Sequence, residues 1–207
     1  MKNIVTIQHT QSLQHVNGMI GSWADWDLTA LGIEQANRIG ARLAAELKGQ
    51  RYVMAASGLP RARQTAEIVA GHLDIEPVFT DALREMNLGE AVGKPKAWAR
   101  ENARCPLWPG TIDWPKNIDD KPFMGAESQR DMCIRLTVFL HQILENEAEN
   151  WILVSHDGAL SIFFALWLWL DVEKHGLSGR TGGVSFLRED ADGHRVIDRL
   201  NDMSYIM

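Results

Sequence analysis

The chain has 207 residues, of which 45% are hydrophobic and 23% charged, with a formal net charge of −6 and a sequence pI of about 5.6. This mix is typical of a globular protein, and the length suits one α/β unit with a small insertion. The acidic balance argues against a general nucleic-acid binder, whose binding face would be basic. It still permits a local cationic pocket for an anionic substrate.

The cysteines and the apolar runs indicate a cytoplasmic protein. Cys105 and Cys133 provide neither a disulfide framework nor the spacing of a metal site. No signal-peptide core follows Met1. The most apolar run, residues 159–170, is about 12 residues long, whereas a membrane span requires about 20. We therefore expect reduced thiols, no membrane partner, and a buried helix in this run.

The first part of the chain alternates strand and helix patterns. Residues 3–8 are mostly β-branched and apolar and predict a buried strand, and a helix is predicted from Thr29 to about Leu47. A second strand is predicted at residues 52–56, a second helix from Pro60 to about His72, and a third strand at residues 75–79. This alternation predicts parallel strands joined by helices.

The second part begins irregularly and then returns to regular elements. An ordered loop is predicted at residues 81–94, a short helix at 96–104 and a Pro- and Trp-rich irregular segment at 105–125. A long helix at residues 128–149, a strand at 151–155, the apolar helix and a hairpin of residues 183–188 and 195–200 follow. The predicted fold class is α/β, a three-layer α/β/α sandwich with a mostly parallel central sheet.

Four side chains with catalytic potential lie near predicted strand ends. His9 and His156 each follow a strand, Arg61 lies in the first turn of the second helix, and Glu85 lies in the loop after the third strand. Ligands of open α/β sheets bind beyond the carboxyl ends of the strands. Taken singly, each side chain is more often a packed or solvated residue. Together, a nucleophilic imidazole, a guanidinium at a helix N-terminus and a carboxylic acid suit phosphoryl transfer.

Seven short motifs carry a family resemblance. They are Gln8-His9-Thr10-Gln11-Ser12, Leu28-Thr29 with Gly32 and Gln35-Ala36, residues 57–66, Leu83-Arg84-Glu85, Gly125-Ala126-Glu127-Ser128, Val154-Ser155-His156 and residues 201–205. In this order, over nearly the whole chain, they resemble the motifs of the histidine phosphatase superfamily, in its phosphoglycerate mutase-like branch 1. The resemblance implies a phosphoglycerate mutase-like fold in a single domain, residues 1–207, with an irregular insertion at about 94–126 over the active site.

The resemblance also implies a reaction. It predicts a phosphatase that hydrolyses a phosphomonoester of a small metabolite through a phosphohistidine intermediate, without a metal or other cofactor. His9 would attack phosphorus, Arg61 and His156 would hold the phosphoryl oxygens, and Glu85 would protonate the leaving alcohol. The residues expected to bind substrate are Gln8, Gln11, Ser12, His15 and Asp157.

Three positions depart from the family pattern. Gln8 stands where the family has Arg, Thr10 where it has Gly, and Asp157 where many relatives have Gly. Loss of a charge-assisted contact at residue 8 would remove about 2–4 kcal/mol of transition-state stabilisation unless another cation, His15 or Arg63, replaces it. Thr10 would either crowd the phosphate or donate a hydroxyl. Asp157 is a rival to Glu85 as proton donor.

Other functions and roles remain open at this point. A weakened site would bind a phosphorylated or anionic ligand without efficient turnover. A phosphoglycerate-type mutase is the least favoured function, because it must shield its phosphoenzyme from water and such mutases are usually longer around the acid loop. The tryptophans of the insertion either line the pocket or pack the insertion: Trp98, Trp108 and Trp114. Four histidines are interpreted as surface or packing residues: His72, His141, His175 and His194. The oligomeric state is open, with a homodimer as one option.

Overall fold

The computed structural model describes residues 1–174 and 176–207, so that His175 lies outside the described residues. One sheet contains six strands: β1 (Lys2–Gln8), β2 (Val53–Ser57), β3 (Pro77–Thr80), β4 (Asn150–Ser155), β5 (Val184–Glu189) and β6 (Arg195–Asp202). The helices are α1 (Ala30–Glu46), α2 (Pro60–Leu73), α3 (Lys96–Asn102), α4 (Gln129–Glu145) and α5 (Asp157–Trp167).

The sheet is mostly parallel, as predicted. Its strand order is β3-β2-β4-β1-β5-β6, and the first four strands of that order run parallel. β5 runs antiparallel to β1 and forms a hairpin with β6. Gln8, at the end of β1, pairs with Ser155, at the end of β4. The next residues along the chain, His9 and His156, therefore leave the sheet side by side.

Helices cover both faces of the sheet and confirm the three-layer fold class. Side chains alternate along a strand, so that Ile4 of β1 joins one apolar core while Val5 and Ile7 join the other. The Ile4 core is filled mainly by α4 and α5, and the Val5 core mainly by α1 and α2. Burying both faces explains why β1 and β4 are nearly continuous apolar runs.

The predicted bounds agree with the structure to within two residues except in α4 and α5. α4 ends at Glu145 rather than near residue 149, because the backbone of Asn146 is extended (ψ 149°). In addition, the Lys2 ammonium donates a hydrogen bond to the carbonyl oxygen of Ala148 at 2.7 Å. The apolar helix begins at Asp157 and ends at Trp167, and most of its residues are buried, as expected. Among the described residues, no helix is both long and apolar enough to cross a membrane.

Candidate active site

The ends of β1 and β4 bring two buried imidazoles together. The ring centroids of His9 and His156 lie 5.1 Å apart, with the rings edge to face at 61°. His15, from the turn after β1, stacks on His9 with its centroid at 5.4 Å. His9 and His156 are at most 3% exposed. The parallel pairing of their strands therefore produces the cluster that the strand-end motifs predicted.

His9 is held in one tautomer. Its Nδ1 lies 2.9 Å from the carbonyl oxygen of Thr10, which can only accept, so Nδ1 carries the proton and Nε2 has the lone pair. Arg61 Nε donates to this Nε2 at 3.2 Å. Burial lowers the pKa of His9 well below its usual 6.5, and the charges of Arg61 and His15 lower it further. His9 is therefore a neutral imidazole with Nε2 directed at a guanidinium.

Arg61 is a fixed cation beside His9. It follows Pro60 in the first turn of α2, and its guanidinium donates to the carbonyl oxygens of Ser22 at 2.7 Å and Ala24 at 3.2 Å. Burial lowers the pKa of Arg61 to about 10, which leaves the guanidinium charged at neutral pH. The loop after β1 thus aims a buried positive charge at the nucleophilic nitrogen of His9.

His156 carries an unsatisfied ring nitrogen. Its Nε2 lies 2.8 Å from the hydroxyl of Ser57, the last residue of β2. When this hydroxyl donates to Nε2, the ring proton sits on Nδ1, which is buried and has no partner among the described residues. Buried polar atoms are nearly always hydrogen-bonded. In that tautomer the free Nδ1–H is a donor suited to a ligand oxygen.

The Glu85 carboxylate is held at the N-terminus of α5. It accepts from the backbone N–H of Met86 at 2.9 Å and of Gly158 at 3.2 Å. Burial raises the pKa of Glu85 to about 7, and the charges of Asp157 and Asp113 add to this rise. A Cβ on Gly158 would lie 2.6 Å from Glu85 Oε1, so only glycine permits this approach. Glu85 is therefore a carboxyl that can give or take a proton near neutral pH.

Two side chains outside the predicted set of site residues, Trp23 and Arg135, anchor the backbone of Glu85. Its carbonyl oxygen accepts from Trp23 Nε1 at 2.7 Å and from Arg135 Nη2 at 3.1 Å. Arg135 also donates to the carbonyl of Ala82 at 2.7 Å and pairs with Glu127 at 3.1 Å. Glu127 belongs to a motif already noted in the sequence, but nothing in the sequence showed that Arg135, eight residues later, is its partner.

Gln8 and Asp157, two of the unusual residues, are neighbours. A Cβ on Gly179 would lie 2.1 Å from Gln8 Oε1 and 3.1 Å from Asp157 Oδ1. Asp157 accepts hydrogen bonds from the hydroxyl of Ser178 and the backbone N–H of Gly179, which turns its carboxylate toward that loop. An arginine at residue 8 would meet the Asp157 carboxylate here. The two departures from the family pattern therefore belong to one local environment.

Thr10 does neither of the things expected of it. Its hydroxyl donates to the carbonyl oxygen of Gly32 at 2.8 Å, and its backbone N–H donates to the hydroxyl of Thr65 at 3.2 Å. The side chain is thus turned toward α1 and α2, because the backbone direction after β1 places it there.

Arg63 does not supply the positive charge that Gln8 lacks, since its exposed guanidinium lies 3.8 Å from the ring centroid of Phe79.

Gln11 and Ser12 contact supporting residues and, like the buried His9 and His156, do not line the cavity that is bordered by His15, Arg61 and Glu85. Gln11 Oε1 accepts from the hydroxyl of Thr29, the N-cap of α1, at 2.7 Å. The backbone N–H of Ser12 donates to His15 Nδ1 at 3.0 Å. Gln11 therefore fixes the start of α1, and Ser12 orients the His15 ring that stacks on His9.

This cavity has a volume of about 440 Å³. Residues from the predicted set that line it are His15, Arg61, Glu85 and Asp157, and the insertion adds Lys96, Thr111, Ile112, Asp113 and Trp114. Sequence reasoning missed Lys96 and Asp113.

Of the three tryptophans considered, Trp114 lines the cavity, Trp98 packs on Phe123 and Trp108 is exposed. Three other histidines are exposed, as predicted: His72, His141 and His194.

A family model described as the histidine phosphatase superfamily (branch 1) matches residues 4–203. The chain belongs to this superfamily. A protein of Hydrogenobacter thermophilus described as a candidate phosphoserine phosphatase is 28% identical over 84% of this chain and 82% of its own length. A 2,3-bisphosphoglycerate-dependent phosphoglycerate mutase of Xanthobacter autotrophicus is 33% identical over 68% of each chain. The resemblance seen in the seven motifs is thereby confirmed.

Solved structures share the fold. A mycobacterial glucosyl-3-phosphoglycerate phosphatase superposes with a TM-score of 0.80 at 22% identity, over 97% of this chain and 98% of its own. The alpha-ribazole phosphatase of Shigella flexneri gives a TM-score of 0.81 at 22% identity, over 97% of this chain and 96% of its own. At this identity the likeness establishes the histidine phosphatase fold, and the chemistry rests on the site itself.

Proposed function

We propose that the chain is a phosphatase that hydrolyses a phosphomonoester of a small metabolite through a phosphohistidine at His9, in the cytoplasm. The observation that carries this proposal is the neutral His9 ring, whose Nε2 lone pair lies 3.2 Å from Arg61 Nε. A neutral imidazole is a nucleophile, and a fixed guanidinium stabilises the charge that develops on phosphoryl oxygens. Family membership supports the same chemistry.

In the first step, His9 Nε2 attacks phosphorus while the bond from phosphorus to the leaving oxygen breaks. Arg61 and the free Nδ1–H of His156 bind phosphoryl oxygens, and protonated Glu85 gives its proton to the leaving oxygen. In the second step, the Glu85 carboxylate takes a proton from a water that attacks phosphorus. The bond between phosphorus and nitrogen breaks, and neutral His9 is restored. A Glu85 pKa of about 7 suits both roles.

Of the remaining predicted residues, some bind the substrate in this proposal and others support the residues that do. His15 and Asp157 line the cavity and bind the substrate from its walls. Gln8 replaces a charged contact with a neutral amide, while Gln11 and Ser12 support the site through Thr29 and His15. We also propose that residues 1–207 form one domain and that the insertion at 94–126 closes the cavity, since residues 111–114 line it.

A second candidate function follows from Gln8. Its buried side chain supplies no charge to the phosphoryl pocket. This favours a family member that binds a phosphorylated or anionic ligand and turns it over slowly. A phosphoglycerate mutase is among the relatives that are more than 30% identical to this chain, so isomerisation is a third outcome that an assay must separate from hydrolysis.

Hydrolysis of a panel of phosphomonoesters, measured as released inorganic phosphate, tests the proposal. Arg61→Met is expected to lower kcat/KM by about 10²–10³, because it removes the fixed cation. Arg63→Met is the matched control, since this exposed arginine lies in the same turn and faces Phe79. Equal rates for the two variants would contradict the proposal. Binding without phosphate release would favour the second candidate, and isomerisation of 3-phosphoglycerate would favour a mutase.

A further inference from the structure

The lining of the cavity contains three carboxyl groups. The carboxyl groups of Glu85, Asp113 and Asp157 line it, and each has its pKa raised, first by burial. Burial, with a smaller contribution from the charge of Asp157, raises the pKa of Asp113 to about 6, and the charges of Asp157 and Asp113 add to the effect of burial on the pKa of Glu85. Lys96 faces Asp113 from α3 and lowers its pKa. Three carboxyl groups and the ammonium group of Lys96 thus share the lining of the cavity.

An aromatic ring accompanies these carboxyl groups. Trp114 follows Asp113 in the insertion and lines the same cavity, and a Cβ on Gly158 would lie 3.1 Å from its Cζ3. An aromatic face beside carboxylates is the combination that binds a cation, by attraction to the ring and by direct charge pairing. The apolar side chains of Met19 and Ile112 also line the cavity.

A buried acceptor without a donor lies beside Asp157. Gln8 is 5% exposed, and its Oε1 has no hydrogen-bond partner among the described residues. Buried polar atoms are rarely left unpaired. An anionic leaving group in the cavity would face like charges from Asp113 and Asp157. A cationic group would pair with these carboxylates, whereas Gln8 itself lies behind the cavity lining.

We infer that the enzyme selects phosphomonoesters of amino alcohols, in which the leaving alcohol carries a positively charged nitrogen. Arg61, His9 and His156 bind the phosphoryl group, and the nitrogen is held by Asp113 with the ring of Trp114. This inference rests on the proposed phosphatase function and adds the substrate class. Asp113 is its specificity-determining residue, and it lies in the insertion rather than in any family motif of the chain.

The test compares two esters of equal shape. O-phosphoethanolamine carries an ammonium group where n-propyl phosphate carries a methyl group, and 3-phosphoglycerate supplies a carboxylate. Wild type is expected to give a kcat/KM at least about tenfold higher for the ammonium ester than for the propyl ester, with 3-phosphoglycerate lowest. In Asp113→Asn the ratio of kcat/KM for the ammonium ester to that for the propyl ester, both measured at one pH, should fall toward one. The change in the Glu85 pKa affects hydrolysis of both esters and cancels in this ratio.

Glu101→Gln is the control, because Glu101 is an exposed residue of α3 outside the cavity. In this variant the ratio of kcat/KM for the ammonium ester to that for the propyl ester should equal the wild-type ratio. A wild-type ratio near or below one, or a ratio unchanged in Asp113→Asn, would overturn the inference while leaving the phosphatase proposal intact. If wild type hydrolyses none of the esters, the phosphatase proposal fails, and calorimetric binding of the same esters decides the inference. Preferential binding of the ammonium ester, lost in Asp113→Asn, would uphold it, and equal binding would overturn it.

Discussion

Replacement of Glu85 by Gln should harm the enzyme in a way that depends on the leaving group. A simple alkyl alcohol leaves as a strongly basic oxyanion and needs a proton, whereas p-nitrophenolate is a good leaving group without one. General acid catalysis contributes about 10²–10⁴ in rate. We expect Glu85→Gln to lower kcat/KM for an alkyl phosphate by this amount, and for p-nitrophenyl phosphate by less than about tenfold.

The pH dependence has a definite sign. The pKa of Glu85 is raised to about 7, so the acid form is present below this pH and is lost above it. For wild type, kcat/KM with the alkyl ester should therefore fall about tenfold per pH unit above pH 7. The pKa of His9 is lowered well below 6.5, so loss of the nucleophile by protonation occurs only at a pH far more acidic than 6.5.

The assay is a pair of pH profiles of kcat/KM, one for each ester. Each wild-type profile is divided by the Glu85→Gln profile for the same ester, so that ionisation of the phosphate group cancels. Asp113→Asn removes a charge that raises the Glu85 pKa, and so should move the alkaline limb to lower pH. Two results would refute the role of Glu85: an alkaline limb that persists unchanged in Glu85→Gln, or equal losses of kcat/KM for the two esters. Either result would favour Asp157 as the proton donor.

Three further variants test the surroundings of the site by steady-state kinetics. Gln8→Arg alone should raise kcat/KM less than about threefold, because Asp157 would hold the new guanidinium, while Gln8→Arg with Asp157→Gly should gain about tenfold or more. Arg135→Met should lower kcat at least about tenfold for alkyl esters by loosening the Glu85 loop, with a smaller loss for p-nitrophenyl phosphate. Gly158→Ala should lower the free energy of unfolding, measured by denaturant titration, by about 1–3 kcal/mol. It should also lower kcat for alkyl esters, because the new Cβ would displace Glu85.

Each of these expectations can fail clearly. A large gain from Gln8→Arg alone would show that Asp157 does not hold the residue at position 8. Equal losses for the two ester types in Arg135→Met would reduce Arg135 to a general structural role. Wild-type stability and kcat in Gly158→Ala would mean that Glu85 does not need its close approach to α5.

The sequence was sufficient for the sheet and for the central residues of the site. Two apolar strands are each followed by a histidine, and parallel pairing of such strands places the two histidines at one edge of the sheet. Arg61 was predictable for a similar reason, because Pro60 marks a helix start after β2. These inferences depend only on periodicity and strand direction, which local sequence determines well.

Side-chain direction and the insertion were not predictable in the same way. Motif spacing placed Thr10 and Gln11 near His9, but the backbone after β1 turns both side chains toward α1. Lys96 reaches the cavity from the start of α3, and Asp113 reaches it from the irregular segment that follows α3, whose path is set by tertiary contacts. Asp113 in particular gave no local signal, because its burial depends on where the insertion lies against the sheet.

The most direct test of the account is to trap the phosphoenzyme. The protein is exposed briefly to a phosphomonoester, quenched in alkali and digested, and the modified peptide is identified by mass spectrometry. We expect phosphate on His9, with more of it in Glu85→Gln, whose second step is slowed, and with His72→Ala, an exposed histidine, behaving as wild type. Phosphate release without any label on His9, or a label that persists in His9→Ala, would contradict the mechanism.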